Sequence, residues 1–224
     1  MKSPVVILIL SLGPGLLYGQ APSVKRLDSA AAVLQEIMDT PDKAIPQELL
    51  DKAHCVVIVP GLKKGAFIFG GKYGRGFVSC RRKSGAGWGA PGAVRVEGGS
   101  FGLQIGGSES DVVMLVMNEK GADRLLSSRF TLGGDASVAA GPVGRTATAD
   151  TDAYMTAEIL SWSRARGIFA GVSLQGATLR QDVAVNREVH GRSLENREIV
   201  MQDVPAPPAA SRLISLLNKY SSRK

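Results

Sequence analysis

Histidine and cysteine are scarce in this chain, two of each in 224 residues, at His54, Cys55, Cys80 and His190. Scattered in that way they lack the ligand spacing of a structural zinc site, which excludes a metal centre built on them. Aromatic residues are also few, 5% of the chain, and only Phe67, Phe69, Tyr73, Phe77 and Trp88 could serve for stacking on bases. Nucleic acid is therefore not an expected partner. The apolar run that opens the chain, Val5 to Leu12 with Leu16 and Leu17 beyond, is too short to span a bilayer, which takes about 20 residues. Acid is missing altogether between Cys55 and Val96.

The opening run has another use. Lys2 supplies a positive start, Val5 to Leu12 an apolar core, and the small residues Gly13, Gly15, Gly19 and Ala21 an exit, so residues 1–21 read as a cleavable secretory signal. Cleavage after Ala21 fits the small-residue pattern, but Pro22 would follow the cut, and cleavage after Gly19 is the alternative. No cysteine lies there to carry a lipid anchor. The expectation is a secreted or periplasmic protein, peripheral on a membrane, with residues 22–224 forming one domain. Without Lys2 the chain keeps 26 basic against 20 acidic residues, a net charge of +6 that favours anionic partners. Cys55 and Cys80 admit two readings: a disulfide, worth about 3 kcal/mol for so long a loop in an oxidising compartment, or two buried small hydrophobes.

Leu27, Ala31, Leu34, Ile37 and Met38 recur at helical spacing and predict an amphipathic helix over 26–39, followed by a short one opened by Pro46. Glycine-broken β-branched and aromatic runs then predict strands at 55–59, 66–69, 76–81, 92–96, 100–105 and 111–117. A helix is expected over 119–127, strands again at 136–140, 154–163 and 167–179, and a C-terminal helix over 211–220 after the stiff segment 205–208. In 154–163 large residues occur on both alternating faces, which suggests a closed or sandwiched sheet. The expected fold is α+β: a glycine-rich, mainly antiparallel β core over about 54–180, sandwich or barrel-like, flanked by N-terminal helices and a C-terminal helix.

Several motifs imitate chemistry. Gly98, Gly99, Ser100, Phe101 and Gly102 match G-x-S-x-G, and Asp135, Asp150 or Asp182 followed by His190 would complete a hydrolase triad. That elbow requires a helix directly after the serine, whereas Leu103 to Ile105 reads as strand. Gly70 to Gly76 and Gly141 to Thr146 look like phosphate loops without the G-K-[ST] ending or the following helix. Neither an enzyme nor a cofactor is expected.

Charge segregation is more informative. Lys63, Lys64, Lys72, Arg75, Arg81, Arg82, Lys83 and Arg95 fall within 55–96 without one acid, while 97–163 holds nine acids against Lys120, Arg124, Arg129 and Arg145. Cations grouped on one part of a sheet suit an anionic surface, at about 1 kcal/mol each near headgroups.

The order of short motifs resembles the SYLF domain family. His54–Pro60 (HCVVIVP), Gly65–Gly76 (GAFIFGGKYGRG), Gly87–Pro91 (GWGAP), Gly98–Gly106 (GGSFGLQIG), Asp111–Asn118, Leu132–Arg145 (LGGDASVAAGPVGR) and Ser161–Gly176 (SWSRARGIFAGVSLQG) carry the resemblance. Trp162 replaces an expected tyrosine, and Val189–His190 an aromatic pair before glycine. The resemblance implies a lipid-binding β domain without catalytic residues; its eukaryotic members prefer phosphoinositides, and actin bundling belongs to some. The basic stretch found from the charges places the headgroups first on Lys63, Lys64, Lys72 and Arg75, with Arg81, Arg82 and Lys83 in the same stretch, and second on Arg164 and Arg166 of the SWSRARG turn. The expected partners are anionic phospholipids or a membrane surface, with an envelope protein bound through the sheet or the C-terminal helix as the alternative. An exported chain does not meet cytoplasmic actin, so actin is not an expected partner.

Overall fold

The computed structural model describes residues 21–40, 44–66, 69–84, 86–101, 106–142, 156–165, 168–170, 174 and 176–221. The proposed signal, residues 1–20, lies outside them.

Helix α1 (Pro22–Met38) begins on a proline that needs no amide donor, and the Ala21 carbonyl accepts from Val24 and Lys25 at 3.0 and 3.1 Å. The predicted stripe, Leu27, Ala31, Leu34, Ile37 and Met38, is buried, with Ala30 and Val33 beside it. Helix α2 (Gln47–Lys52) leads into four long strands: β1 (Cys55–Ala66), β2 (Phe69–Cys80), β3 (Gly92–Phe101) and β4 (Gly106–Val116). Helix α3 (Glu119–Leu125), capped by the Asn118 side chain, separates them from β5 (Arg129–Thr131), β6 (Val138–Ala140), β7 (Ile159–Ala165), β8 (Ile168–Ala170) and β9 (Thr178–Gln181). The chain ends in α4 (Val183–His190), α5 (Asn196–Met201), a 3-10 turn (Pro208–Ala210) and α6 (Ser211–Tyr220).

The expected α+β architecture is present, but its strands differ from the sequence reading. Six short strands before α3 are four long ones, because Pro60 and Gly61 form a bulge inside β1 rather than ending it. Gly61 takes φ +58°, and its amide is held by the Asp111 carboxylate at 3.0 Å. Across the bulge the backbones close up so far that a Cβ on Gly76 would lie 2.0 Å from the Ile58 carbonyl oxygen. The predicted strand 66–69 instead straddles the β1–β2 connection, where residues 67–68 lie outside the described set, as do 102–105 of the predicted strand 100–105. The stretch 167–179 contributes to two separate strands, β8 and β9.

The described strands form one nine-stranded sheet ordered β5-β9-β3-β2-β1-β4-β7-β6, with β8 also on β7, and among these strand pairs only β6–β7 is parallel. Were the sheet flat, β5 and β6 would stand seven strand spacings apart, about 34 Å. The connection between them, residues 132–137, reaches at most about 25 Å when extended. The sheet is therefore curled into a half-barrel. Side chains alternate between its two faces: Val57, Val59, Leu62, Val78, Val96 and Met114 meet Phe130 and Ile159 in the concave core, while Val56, Ile58, Phe77, Leu115 and Trp162 meet α1, α2 and α6 outside.

Candidate anion-binding surface

Strand parity decides where the predicted cations go. Lys63 and Lys64 are neighbours in sequence and therefore point to opposite faces. Lys63 follows the outer, helix-bearing face and lies opposite Tyr73 and Glu109; Lys64, two residues from buried Leu62, follows the concave face opposite Lys72 and Ser108. Arg75 shares the outer face with Lys63, and Arg164 joins them there from β7. The proposed first group of four is thus split into two pairs.

Arg81 lies elsewhere. At about 3.3 Å per residue it is roughly 30 Å from Lys72 along the same strand. Its guanidinium donates to the carbonyls of Ser221 (2.6 Å), Leu50 (3.1 Å) and Ala53 (3.3 Å) and lies 3.9 Å above the Trp88 ring. Trp88 Nε1 also donates to the Ser221 carbonyl, at 2.9 Å. This knot ties α2 and the end of α6 to the sheet. Arg82 and Lys83 are exposed beside it, away from the outer cations, and Arg166 lies outside the described residues.

Cys55 and Cys80 stand directly opposite in the β1–β2 register, both buried, and the structure joins them in a disulfide.

The outer face carries an arrangement that the sequence reading missed. Arg75 is directly opposite Arg95, Arg95 opposite Arg180, and Arg180 opposite Arg129, so four arginines form one row across β2, β3, β9 and β5. Two carboxylates serve them: Asp182 lies 3.2 Å from Arg75, and Glu97 lies 3.1 Å from Arg95 and 3.7 Å from Arg180. The row keeps an excess of two positive charges, and like charges directly opposite weaken a sheet. One row nearer the strand ends sits Tyr73, the one exposed large hydrophobic among the described residues, at 47%.

Beside this row, α1 and the sheet enclose a groove of about 700 Å³, with Lys25 and Arg26 on the helix wall and Lys63, Tyr73 and Arg75 on the sheet wall. Its floor is held by Arg164, which pairs with Asp111 at 2.8 Å and with Glu36 of α1. Burial acts to lower the Arg164 pKa, but the hydrogen bonds to Asp111 and Glu36 outweigh it and the net shift is upward. Arg164 is thus a brace between helix and sheet.

The triad does not assemble as the motif would require. Asp182 and His190 occupy opposite ends of α4, about 12 Å apart along the helix. Asp182 caps Val185 and pairs with Arg75, while His190 Nε2 meets the Pro91 carbonyl at 2.9 Å. Ser100 is at the other end of β3 from Pro91, about 30 Å of extended strand away, and its backbone pairs with Gly70. Asp135 holds the Thr131 amide, and Asp150 lies outside the described residues. No cluster of metal-binding side chains occurs among the described residues.

A curled antiparallel sheet with helices packed on its outer face and a half-buried arginine row defines an α+β domain with a charged sheet surface. Residues 97–220 match the family described as "Las17-binding protein actin regulator", Ysc84. The chain belongs to this Ysc84, or SYLF, family. It is 35% identical over 180 residues to protein YSC84 of Saccharomyces cerevisiae, covering 79% of this chain and 38% of that one. It is 30% identical over 200 residues to SH3 domain-containing YSC84-like protein 1 of Rattus norvegicus, covering 87% of this chain and 58% of the relative. An SH3 domain-containing protein of Schizosaccharomyces pombe is 37% identical over 180 residues, 79% of this chain and 41% of its own. The chain thus spans less than two thirds of the relatives it matches.

Proposed function

We propose that this domain docks on anionic phospholipid surfaces through its outer basic face, without making or breaking a bond. The observation that supports it is the row of Arg75, Arg95, Arg180 and Arg129, four adjacent guanidinium groups with two carboxylates among them. A planar array of phosphates would relieve the mutual repulsion that the folded chain leaves uncompensated. Tyr73 and the cations Lys25, Arg26 and Lys63 extend the same surface.

On this reading the chain works in the cell envelope after export, where Las17 and actin, named for the family, are not its partners. The leader-like residues 1–21 and the cysteine pair support that assignment. The C-terminal helix is a poor candidate for capturing another protein, since Leu213, Ile214 and Leu217 are buried against the domain itself.

Sedimentation with phosphatidylglycerol vesicles at low salt tests the proposal. Binding is expected for the native chain and is expected to weaken about 100-fold in the Arg75→Gln, Arg95→Gln, Arg180→Gln variant, at about 1 kcal/mol per cation. Equal binding to neutral vesicles, or an unaffected triple variant, would overturn it.

A further inference from the structure

The groove beside α1 is polar along its length rather than uniformly basic. On the helix wall Lys25 and Arg26 lie towards one end and Glu36 towards the other, roughly 15 Å along the axis. On the sheet wall the register sets Lys63 directly between Tyr73 of β2 and Glu109 of β4, and Asp111 opposite Arg164 further along.

Opposite charges facing each other across a sheet attract, and the Cβ atoms of such neighbours are about 5 Å apart. Lys63 and Glu109 are placed in this way, yet both are exposed and neither takes part in an ion pair among the described residues. The other acids of the groove are engaged: Asp111 accepts from the Gly61 amide at 3.0 Å and from Arg164 at 2.8 Å, and Glu36 pairs with the same guanidinium. One guanidinium between two carboxylates leaves that cluster negative, and Glu109 adds to it. At the basic end Lys25, Arg26 and Lys63 have no ion pair among the described residues. A group that carries a phosphate and, a short link away, a cation matches this order. A primary ammonium donates hydrogen bonds to carboxylates, whereas a quaternary ammonium has no donor and is held by a cage of aromatic faces. The described lining offers carboxylates and one ring, Tyr73, which suits the primary amine.

We propose that this groove seats the headgroup of phosphatidylethanolamine, its phosphate towards Lys63 and Arg26 and its ammonium on Glu109. Such seating presupposes the docking on an anionic surface proposed above, and it adds which zwitterionic lipid within that surface the domain selects. The arginine row supplies attraction to the membrane as a whole, and the groove distinguishes one headgroup from another.

The experiment is sedimentation of the full chain with two kinds of vesicle at equal phosphatidylglycerol content and equal low ionic strength, one completed with phosphatidylethanolamine and the other with phosphatidylcholine. The native chain is expected to bind the ethanolamine vesicles about fivefold tighter, the upper range for one exposed charge pair. Glu109→Gln removes an exposed carboxylate that holds no other group, is expected to fold, and should bind both vesicles alike. Glu119→Gln, the same loss of charge on α3 outside the groove, should keep the preference. A preference that survives in Glu109→Gln comes from the packing of the bilayer and overturns the proposal. Equal binding of the native chain to both vesicles overturns it too and leaves docking in place, whereas failure to bind either overturns docking and the headgroup site together.

Discussion

The end of β2 and its middle put the same kind of side chain to opposite uses. At the end Arg81 is surrounded by carbonyl oxygens and a tryptophan face, each donor directed at a fixed acceptor. In the middle Arg75 begins a row of arginines that face one another with too few carboxylates between them. Arg81 is satisfied by the chain that carries it, whereas the row is satisfied only in part. The difference separates a cation that holds the fold from cations that the fold holds out.

Removing Arg81 should break the end most severely. Arg81→Ala leaves the carbonyls of Leu50, Ala53 and Ser221 without their donor and is expected to cost about 4 kcal/mol, read as a lower midpoint in urea unfolding. Vesicle binding of the folded fraction should be unchanged. A stable Arg81→Ala protein that no longer binds vesicles would invert the comparison.

Next in size is the disulfide, also at that end. Reduction should lower stability by about 3 kcal/mol, and mass measurement before and after alkylation should show the bridge intact in the unreduced protein. The arginine row comes third: the triple glutamine variant that weakens docking should change stability by less than about 1 kcal/mol, because repulsion across the row is removed along with its ion pairs.

The smallest effect is at Tyr220, which donates to Asp39 at 2.9 Å. Burial and this bond push its pKa up to about 12. An ordinary tyrosine ionises near about 10, so this contribution to stability is present below that pH and is lost as the pH rises through the folded value. The phenolate absorbance assigned by Tyr220→Phe should appear late in an alkaline titration, and Asp39→Asn should bring it earlier.

How much of this could be read in advance depended on the distance over which each feature is decided. Helices α1 and α6 were legible because their apolar stripes repeat within a few residues, and the α+β core because glycine and β-branched residues alternate so densely. Helix α4 was missed even though Asp182 and the left-handed Gly191 mark its ends, since its buried face includes Asn186 instead of a third aliphatic residue. That asparagine accepts from the Ala93 amide and donates to Leu194 and Asn196, a core made of hydrogen bonds that hydrophobic spacing cannot reveal.

The site divides in the same way. That Lys63 and Lys64 face apart follows from strand parity alone, once β1 is seen to run on through Pro60 and Gly61. The arginine row does not follow from any local pattern, because β9 reaches β3 from some eighty residues away and brings Arg180 beside Arg95. Basic residues counted along the chain do not reveal that Arg81 is bonded within the fold or that Arg129 and Arg180 join Arg75 and Arg95 in one row.

The short connection that curls the sheet also protects it from its own kind. Its outermost strands among the described residues have three residues each, β5 on one side and β6 with β8 on the other, which shortens the edges offered as a template for another chain there. A long, glycine-rich sheet left flat would invite stacking into fibrils wherever the protein becomes crowded on a surface. Curled and bordered by short strands, it offers less edge for such stacking than the same strands laid flat.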